Sequence, residues 1–226
     1  MRQHLSRLWI FAGLFLSLSG VSAANPYYQD QMGGEFVEQP TQIRRGANDL
    51  WSLLDKAAWI GFRDPDVKPN GKVLYAVAFR NCPNCGALKA MEQKRLLKAG
   101  VEVRWVMYAR KDRNGRPRSD AGERSVVAAL WEHRDAKLLW RWWEAEDLRA
   151  FYRSTDAPPP ADGHAGRTAN LRKSHDFIEG FAEVIMANNM DMGVPVLVWK
   201  DGNRTMAMVG YDEMTFAPIR QAMMGR

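Results

Sequence analysis

Both cysteines of the chain lie three positions apart, in Phe79-Arg80-Asn81-Cys82-Pro83-Asn84-Cys85. This is the feature that most restricts what the chain can be. A disulfide closing so small a loop removes little chain entropy, so a structural staple is a poor use of the pair. Zinc takes four ligands from Cys and His. His133, His164 and His175 are far away in sequence and show no ligand spacing, so no metal is expected. Dithiol–disulfide redox chemistry fits best, and it needs no cofactor because the sulfurs themselves carry the electrons.

The flanking sequence supports this use. Lys72 to Phe79 (KVLYAVAF) is almost entirely apolar, as in a strand covered on both faces. Pro83 suits the first turn of a helix, where its missing N–H is no loss. Gly86 to Ala99 continues as a helix with Leu88, Met91, Leu96 and Leu97 toward the core, and Gly100 ends it. Val101 to Tyr108 alternates and reads as a second strand. Strand, helix, strand predicts a parallel pair joined by a right-handed crossover. Cys82 then stands at a helix start, where free N–H groups favour thiolate. It is the candidate nucleophile, and Cys85, one turn inside, is the candidate resolving thiol. Arg80, Pro83 and Asn84 are candidate tuning residues: a nearby cation, a missing donor to the thiolate and an uncharged polar group.

The rest of the chain gives a pattern of elements. Residues 24–48 read as an N-terminal arm. Asp49 to Trp59 (DLWSLLDKAAW) has helical spacing, and residues 49–70 form this helix and a turn. Lys111 to Pro117 is a polar loop. Residues 119–152 are helical and rich in tryptophan (Trp131, Trp140, Trp142, Trp143), which reads as packing or as an aromatic wall against substrate. Ser154 to Gly166 is a Pro-rich loop, and Thr168 to Asn188 is helical. Gly193 to Trp199 and Thr205 to Gly210 are strands joined by a hairpin containing Asp201-Gly202, and Tyr211 to Met224 is a final helix. The expected fold is α/β, with a domain at residues 71–226 that carries a helical insert at about 111–190. Pro195 is poorly suited to a sheet interior. A cis Val194–Pro195 peptide would accommodate it and leave the Val194 backbone open to pair with a substrate peptide. A plain edge-strand proline is the alternative.

Residues 1–23 combine a basic start, an apolar run (Leu8 to Val21) and small residues at Val21-Ser22-Ala23. That is the pattern of a cleavable signal peptide, with the mature chain starting near Ala24 and no stable membrane insertion afterwards. The expected destination is an oxidising compartment outside the cytoplasm, where unpaired thiols do not persist unless they are used. The net charge of +6 is spread through Asp and Glu rather than concentrated, which argues against nucleic-acid binding. At 226 residues and 46% apolar content, a core can form without staples.

Taken together, these motifs resemble the thioredoxin superfamily, and within it the periplasmic DsbC/DsbG-type thiol–disulfide interchange proteins. The resemblance rests on CPNC after a strand, on Gly193-Val194-Pro195 about 110 residues later and on two further stretches. Asp49 to Trp59 looks like that family's linker helix. Ala129 to Asp135 (ALWEHRD) looks like a segment of its helical insert. The resemblance implies a thioredoxin-like fold, with Cys82 attacking, Cys85 resolving and Val194-Pro195 binding substrate. It implies cysteine-containing exported proteins as clients and a membrane electron donor. Three features depart from the family. About 25 residues precede the linker-like helix after Ala24, too few for an N-terminal dimerisation domain. Glu132 stands where the family's isomerase has a structural cysteine. Val194 precedes the proline, as in the oxidase branch, where isomerases have threonine. The direction of electron flow is therefore open among formation, reduction and isomerisation.

Two rival readings follow from other features. The same scaffold, arm and tryptophan-rich insert could serve as a binding or assembly factor for an exported complex, such as a conjugation or secretion apparatus. Met186, Met190, Met192, Met206 and Met208 lie near the proline strand in sequence. They read as gap-fillers or a soft groove, or with the thiolates as a Cu(I) site.

Overall fold

Residues 37–225 are described in the computed structural model of the chain. The expected signal peptide at 1–23 and the first part of the expected arm lie outside the described residues. The later part of that arm packs against the sheet edge. Thr41–Gln42 forms a short edge strand, β1, and Ile43 beside it is buried. Backbone bonds from Glu38 N–H to Val209 and from Ile43 N–H to Thr205 tie this stretch down.

Helix α1 spans Ala47–Lys56 and buries Leu50 and Leu54. It stops three residues before the expected Trp59. Ala57 is extended, and Ile60–Phe62 turns into a strand, β2, that the sequence pattern did not signal. Gly61 in this strand is needed for close approach: a Cβ there would lie 2.7 Å from Glu102 Oε1.

Strand β3 is Val73–Ala78, buried over nearly its whole length. The chain then enters α2 (Pro83–Leu88), passes through a single π-helical turn at Lys89–Gln93 and leaves through α3 (Lys94–Lys98). The π turn inserts one extra residue and rotates the following face. Met91, expected inside, is therefore 41% exposed, while Glu92 and Gln93 are buried. Leu97 is only partly buried. Gly100 adopts φ +79°, and a Cβ there would collide with the Lys68 carbonyl. Strand β4 (Glu102–Met107) is buried at five of six positions rather than alternating, because both faces of the sheet are covered.

Four helices follow before the sheet resumes: α4 (Ala121–His133), α5 (Ala136–Glu144), α6 (Leu148–Arg153) and α7 (Ala165–Ala187). The tryptophans of the insert differ in burial. Trp142 and Trp143 are core residues, and Trp143 stacks edge-on to Trp105 with centroids 4.5 Å apart. Trp131 is half-buried and donates through Nε1 to the Met107 carbonyl at 2.7 Å. Trp140 stays 45% exposed.

Strands β5 (Val196–Asp201) and β6 (Arg204–Val209) form the expected hairpin, and α8 (Glu213–Met224) closes the chain. Asp201 pairs with Arg204, so the two-residue turn is Gly202-Asn203 rather than Asp-Gly, with Gly202 at φ +58°. The six strands lie in the order β1-β6-β5-β3-β4-β2. The β3–β4 pair is parallel, and the other neighbours are antiparallel. A parallel β-α-β unit, a helical insert, an antiparallel hairpin and a last helix make a thioredoxin-like fold with inserted helices. The redox motif leaves the C-terminal end of β3 at the middle of the sheet. Among the described residues, no helix is long and apolar enough to cross a membrane.

Candidate active site

Cys82 is the N-cap of α2, with extended backbone at φ −83° and ψ 116°. Its backbone N–H reaches back to the Phe79 carbonyl at 3.3 Å, and its carbonyl accepts from Gly86 at 3.1 Å. Pro83 takes the first helical position, and its side chain is exposed. The Cys82 sulfur accepts a hydrogen bond from the Cys85 N–H at 3.1 Å. That is the geometry by which a helix start holds a negative sulfur. Cys82 and Cys85 are joined as a disulfide, with Cα atoms 5.2 Å apart. Cys85 is fully buried and Cys82 is 2% exposed, so the approach to the outer sulfur is narrow.

Pro195 precedes β5 instead of lying within it as expected, and the Val194–Pro195 peptide is cis. A proline at this place removes no ladder hydrogen bond. The half-buried Val194 stands 112 residues from Cys82 in sequence, yet its carbonyl oxygen lies 3.4 Å from the Cys82 sulfur. The Pro195 carbonyl accepts from Gly210 N–H at 2.8 Å and so continues the β5–β6 ladder by one step. The fold thus brings together the four residues named first from sequence: Cys82, Cys85, Val194 and Pro195.

Arg80 points into the insert. Its Nε donates to the Trp142 carbonyl at 2.9 Å, and one terminal nitrogen donates to the carbonyls of Trp143 and Ala145 at 2.8 and 3.2 Å. These groups end α5, so the guanidinium caps that helix and anchors the motif loop to it. A cleft of about 410 Å³ opens beside this anchor, lined by Arg80, Gly86, Lys89, Trp143 and Glu144. Lys89 pairs with Glu144 and sits over the Trp140 ring at 4.4 Å. A larger cleft of about 490 Å³ lies at the other end of β3, against Trp51, Tyr75, Arg104 and Lys200. It contains none of the motif residues.

The two most deeply buried acids were not legible in the sequence. Glu92 is fully buried in the π turn, and Glu123 is 1% exposed near the start of α4. Burial pushes the Glu123 carboxyl up to about 7, against the pull of Arg110 and a hydrogen bond from Ser119. Asp120 followed by Glu123 is an N-terminal capping spacing, and Asp120 does accept from Glu123 N–H at 2.7 Å. That signal locates the helix start but not the burial of the acid. The methionines do not share one environment: Met190 and Met208 are buried, and Met186 is 53% exposed. Among the described residues, no group of three or more His, Cys, Asp or Glu side chains could hold a metal ion.

With the disulfide opened, this arrangement offers an outer sulfur backed by an N–H donor, a buried second sulfur one turn away and a backbone carbonyl beside them. No family model matches the chain, and no curated protein matches it. Solved structures do. The thiol-disulfide exchange protein alpha-DsbA2 from Wolbachia pipientis is 12% identical, covering 77% of this chain and 92% of its own, with a TM-score of 0.44. ScsC from Proteus mirabilis is 14% identical, covering 82% and 80%, with a TM-score of 0.41. MdbA, a thiol-disulfide oxidoreductase from Corynebacterium diphtheriae, is 16% identical, covering 88% and 100%, with a TM-score of 0.39.

Proposed function

We propose that the chain is an exported protein thiol–disulfide oxidoreductase that acts in the periplasm on cysteine-containing proteins. The observation that carries this reading is the placement of Cys82. It caps a helix, holds a hydrogen bond from Cys85 N–H and faces the Val194 carbonyl across 3.4 Å. In the reducing direction, the Cys82 thiolate attacks one sulfur of a client disulfide. A mixed disulfide forms and the other client sulfur leaves as a thiolate. Cys85, after losing its proton, then attacks the Cys82 sulfur and releases the second client thiolate. Two electrons pass from the Cys82/Cys85 pair to the client, and the departing thiolates take up protons from solvent. Oxidation of a client dithiol is the same path reversed, and isomerisation stops at the mixed disulfide and re-pairs the client. A membrane donor or acceptor would reset the pair. Export is supported by the pattern of Met1 to Ala23.

The likeness to DsbC/DsbG-type proteins favours reduction or isomerisation, while Val194 before the proline favours oxidation. Equilibration of the purified protein with glutathione buffers separates these directions. A midpoint close to thioredoxin's, about −270 mV, supports a reductase, and one close to DsbA's, about −120 mV, supports an oxidase. Cys82→Ser should abolish turnover of an insulin-type disulfide substrate and leave Cys85 as an unreactive buried thiol. Full function of that variant in cells would instead favour the binding-factor reading, for which exposed Trp140 and Met91 beside the motif helix offer a contact surface.

A further inference from the structure

The π turn in the motif helix brings a carboxylate into the core. Glu92 Oε2 accepts from Arg220 Nε at 2.6 Å, and Oε1 accepts from a terminal Arg220 nitrogen at 2.5 Å. Oε1 also accepts from the Tyr211 hydroxyl at 3.1 Å. Arg220 is on α8, and Tyr211 lies two residues beyond the end of β6. The residue before Tyr211 is Gly210, whose N–H holds the Pro195 carbonyl. A covalent and hydrogen-bonded chain therefore runs from Cys82 along α2 to Glu92, then through Tyr211 and Gly210 to Pro195 and the Val194 carbonyl. It closes a ring around the two halves of the redox site, which are also joined through the sheet and the sulfur contact, and by an exposed Arg95–Glu213 pair.

Packing alone does not require this arrangement. A buried ion pair can often be replaced by apolar groups of similar volume without loss of stability, whereas its directional bonds fix a register. Undistorted helix would also have kept Met91 inward. The extra residue of the π turn puts Glu92 there instead, where only a polar partner can satisfy it.

We infer that Glu92 and Tyr211 are positioning residues for peptide substrates. They set the Pro195 loop at the distance from Cys82 at which a client strand can pair with the Val194 backbone while its cysteine reaches the sulfur. The inference rests on the oxidoreductase reading above. It concerns the peptide-binding half of the site, so a small disulfide that uses no backbone pairing is the natural reference.

The test uses the reduced protein and two probes. One is an extended decapeptide whose central cysteine is blocked by glutathione, and the other is 2-hydroxyethyl disulfide. Second-order rates of Cys82 attack are followed by the change in tryptophan fluorescence. Tyr211→Phe removes one hydroxyl and leaves the Glu92–Arg220 pair in place. The ratio of peptide rate to small-disulfide rate should fall about fivefold, as expected for one lost alignment bond. Glu92→Gln should lower the ratio at least as much. Arg124→Gln, which breaks an exposed pair with Asp162 in the insert, gives the baseline for a merely less stable protein. A ratio unchanged from wild type in Tyr211→Phe and Glu92→Gln, or lowered equally by Arg124→Gln, overturns the inference. If the wild type attacks neither probe, the oxidoreductase reading falls and the inference falls with it.

Discussion

Glu92 and Glu123 are the same residue, buried to the same degree, in opposite electrostatic situations. Glu92 has both oxygens bonded, by Arg220 and Tyr211. Glu123 lies among cations, with Arg110 and Arg80 both acting on it, yet its Oε1 has no hydrogen-bond partner among the described residues. Proximity of positive charge is therefore not equivalent to solvation. A buried carboxylate is held by directed donors, and where one is missing, desolvation dominates and the proton returns. The first acid fixes geometry, and the second makes the protein sensitive to pH.

The largest test of this contrast is Glu92→Ala. It leaves Arg220 without its bidentate partner and opens space in the π turn, so urea unfolding should show a loss of about 3–5 kcal/mol. A loss below about 1 kcal/mol would mean that the pair is replaceable by water.

Glu123→Gln should act in the other direction. The native carboxyl titrates at about 7 and the unfolded one at about 4.5. Between these values the native state holds a proton that the unfolded state has lost, so stability falls as pH rises through the window. Above it, the native state carries the full cost of a buried charge. Glu123→Gln should therefore gain at most about 3 kcal/mol at pH 8 and almost nothing at pH 4. Melting temperatures across pH 4–8 read this directly, and parallel curves for wild type and variant would refute it.

The smallest effect is expected from Ser119→Ala. Ser119 Oγ accepts from Arg110 N–H at 3.0 Å and also bonds the Glu123 carboxyl. Its loss should cost about 1 kcal/mol. It should also move the Glu123 titration upward, because the bond it makes favours the charged form. A stability–pH curve with an unmoved midpoint would show that Ser119 donates nothing to the carboxylate.

Much of the site could be read along the chain because its parts are local. Cys82, Pro83 and Cys85 need only a helix start, and the apolar run of Val73–Ala78 before them gives the strand that delivers it. Pro195 was legible because a proline conflicts with the interior of a strand. The errors fall where the answer depends on a partner distant in sequence. Met91 was misplaced because nothing in GALKAMEQKRLLKA signals a π turn; the turn is stabilised by Arg220 and Tyr211, more than a hundred residues later. Ile60–Phe62 became a strand only because β4 offered it an edge. Arg80 also bonds the carbonyls at the end of α5, a partner that its place two residues before Cys82 does not signal.

The sequence by itself determined that two sulfurs would stand at the first turn of a helix, one at the cap and one a turn inside. That follows from residue order and helical geometry, and no tertiary contact is needed for it. Only the tertiary structure decided what surrounds those sulfurs. It brought the Val194 carbonyl to 3.4 Å from Cys82, turned Glu92 inward and left Glu123 short of a donor. These depend on strand order and on the packing of elements far apart in the chain, where hydrogen-bond satisfaction is a property of the assembled core.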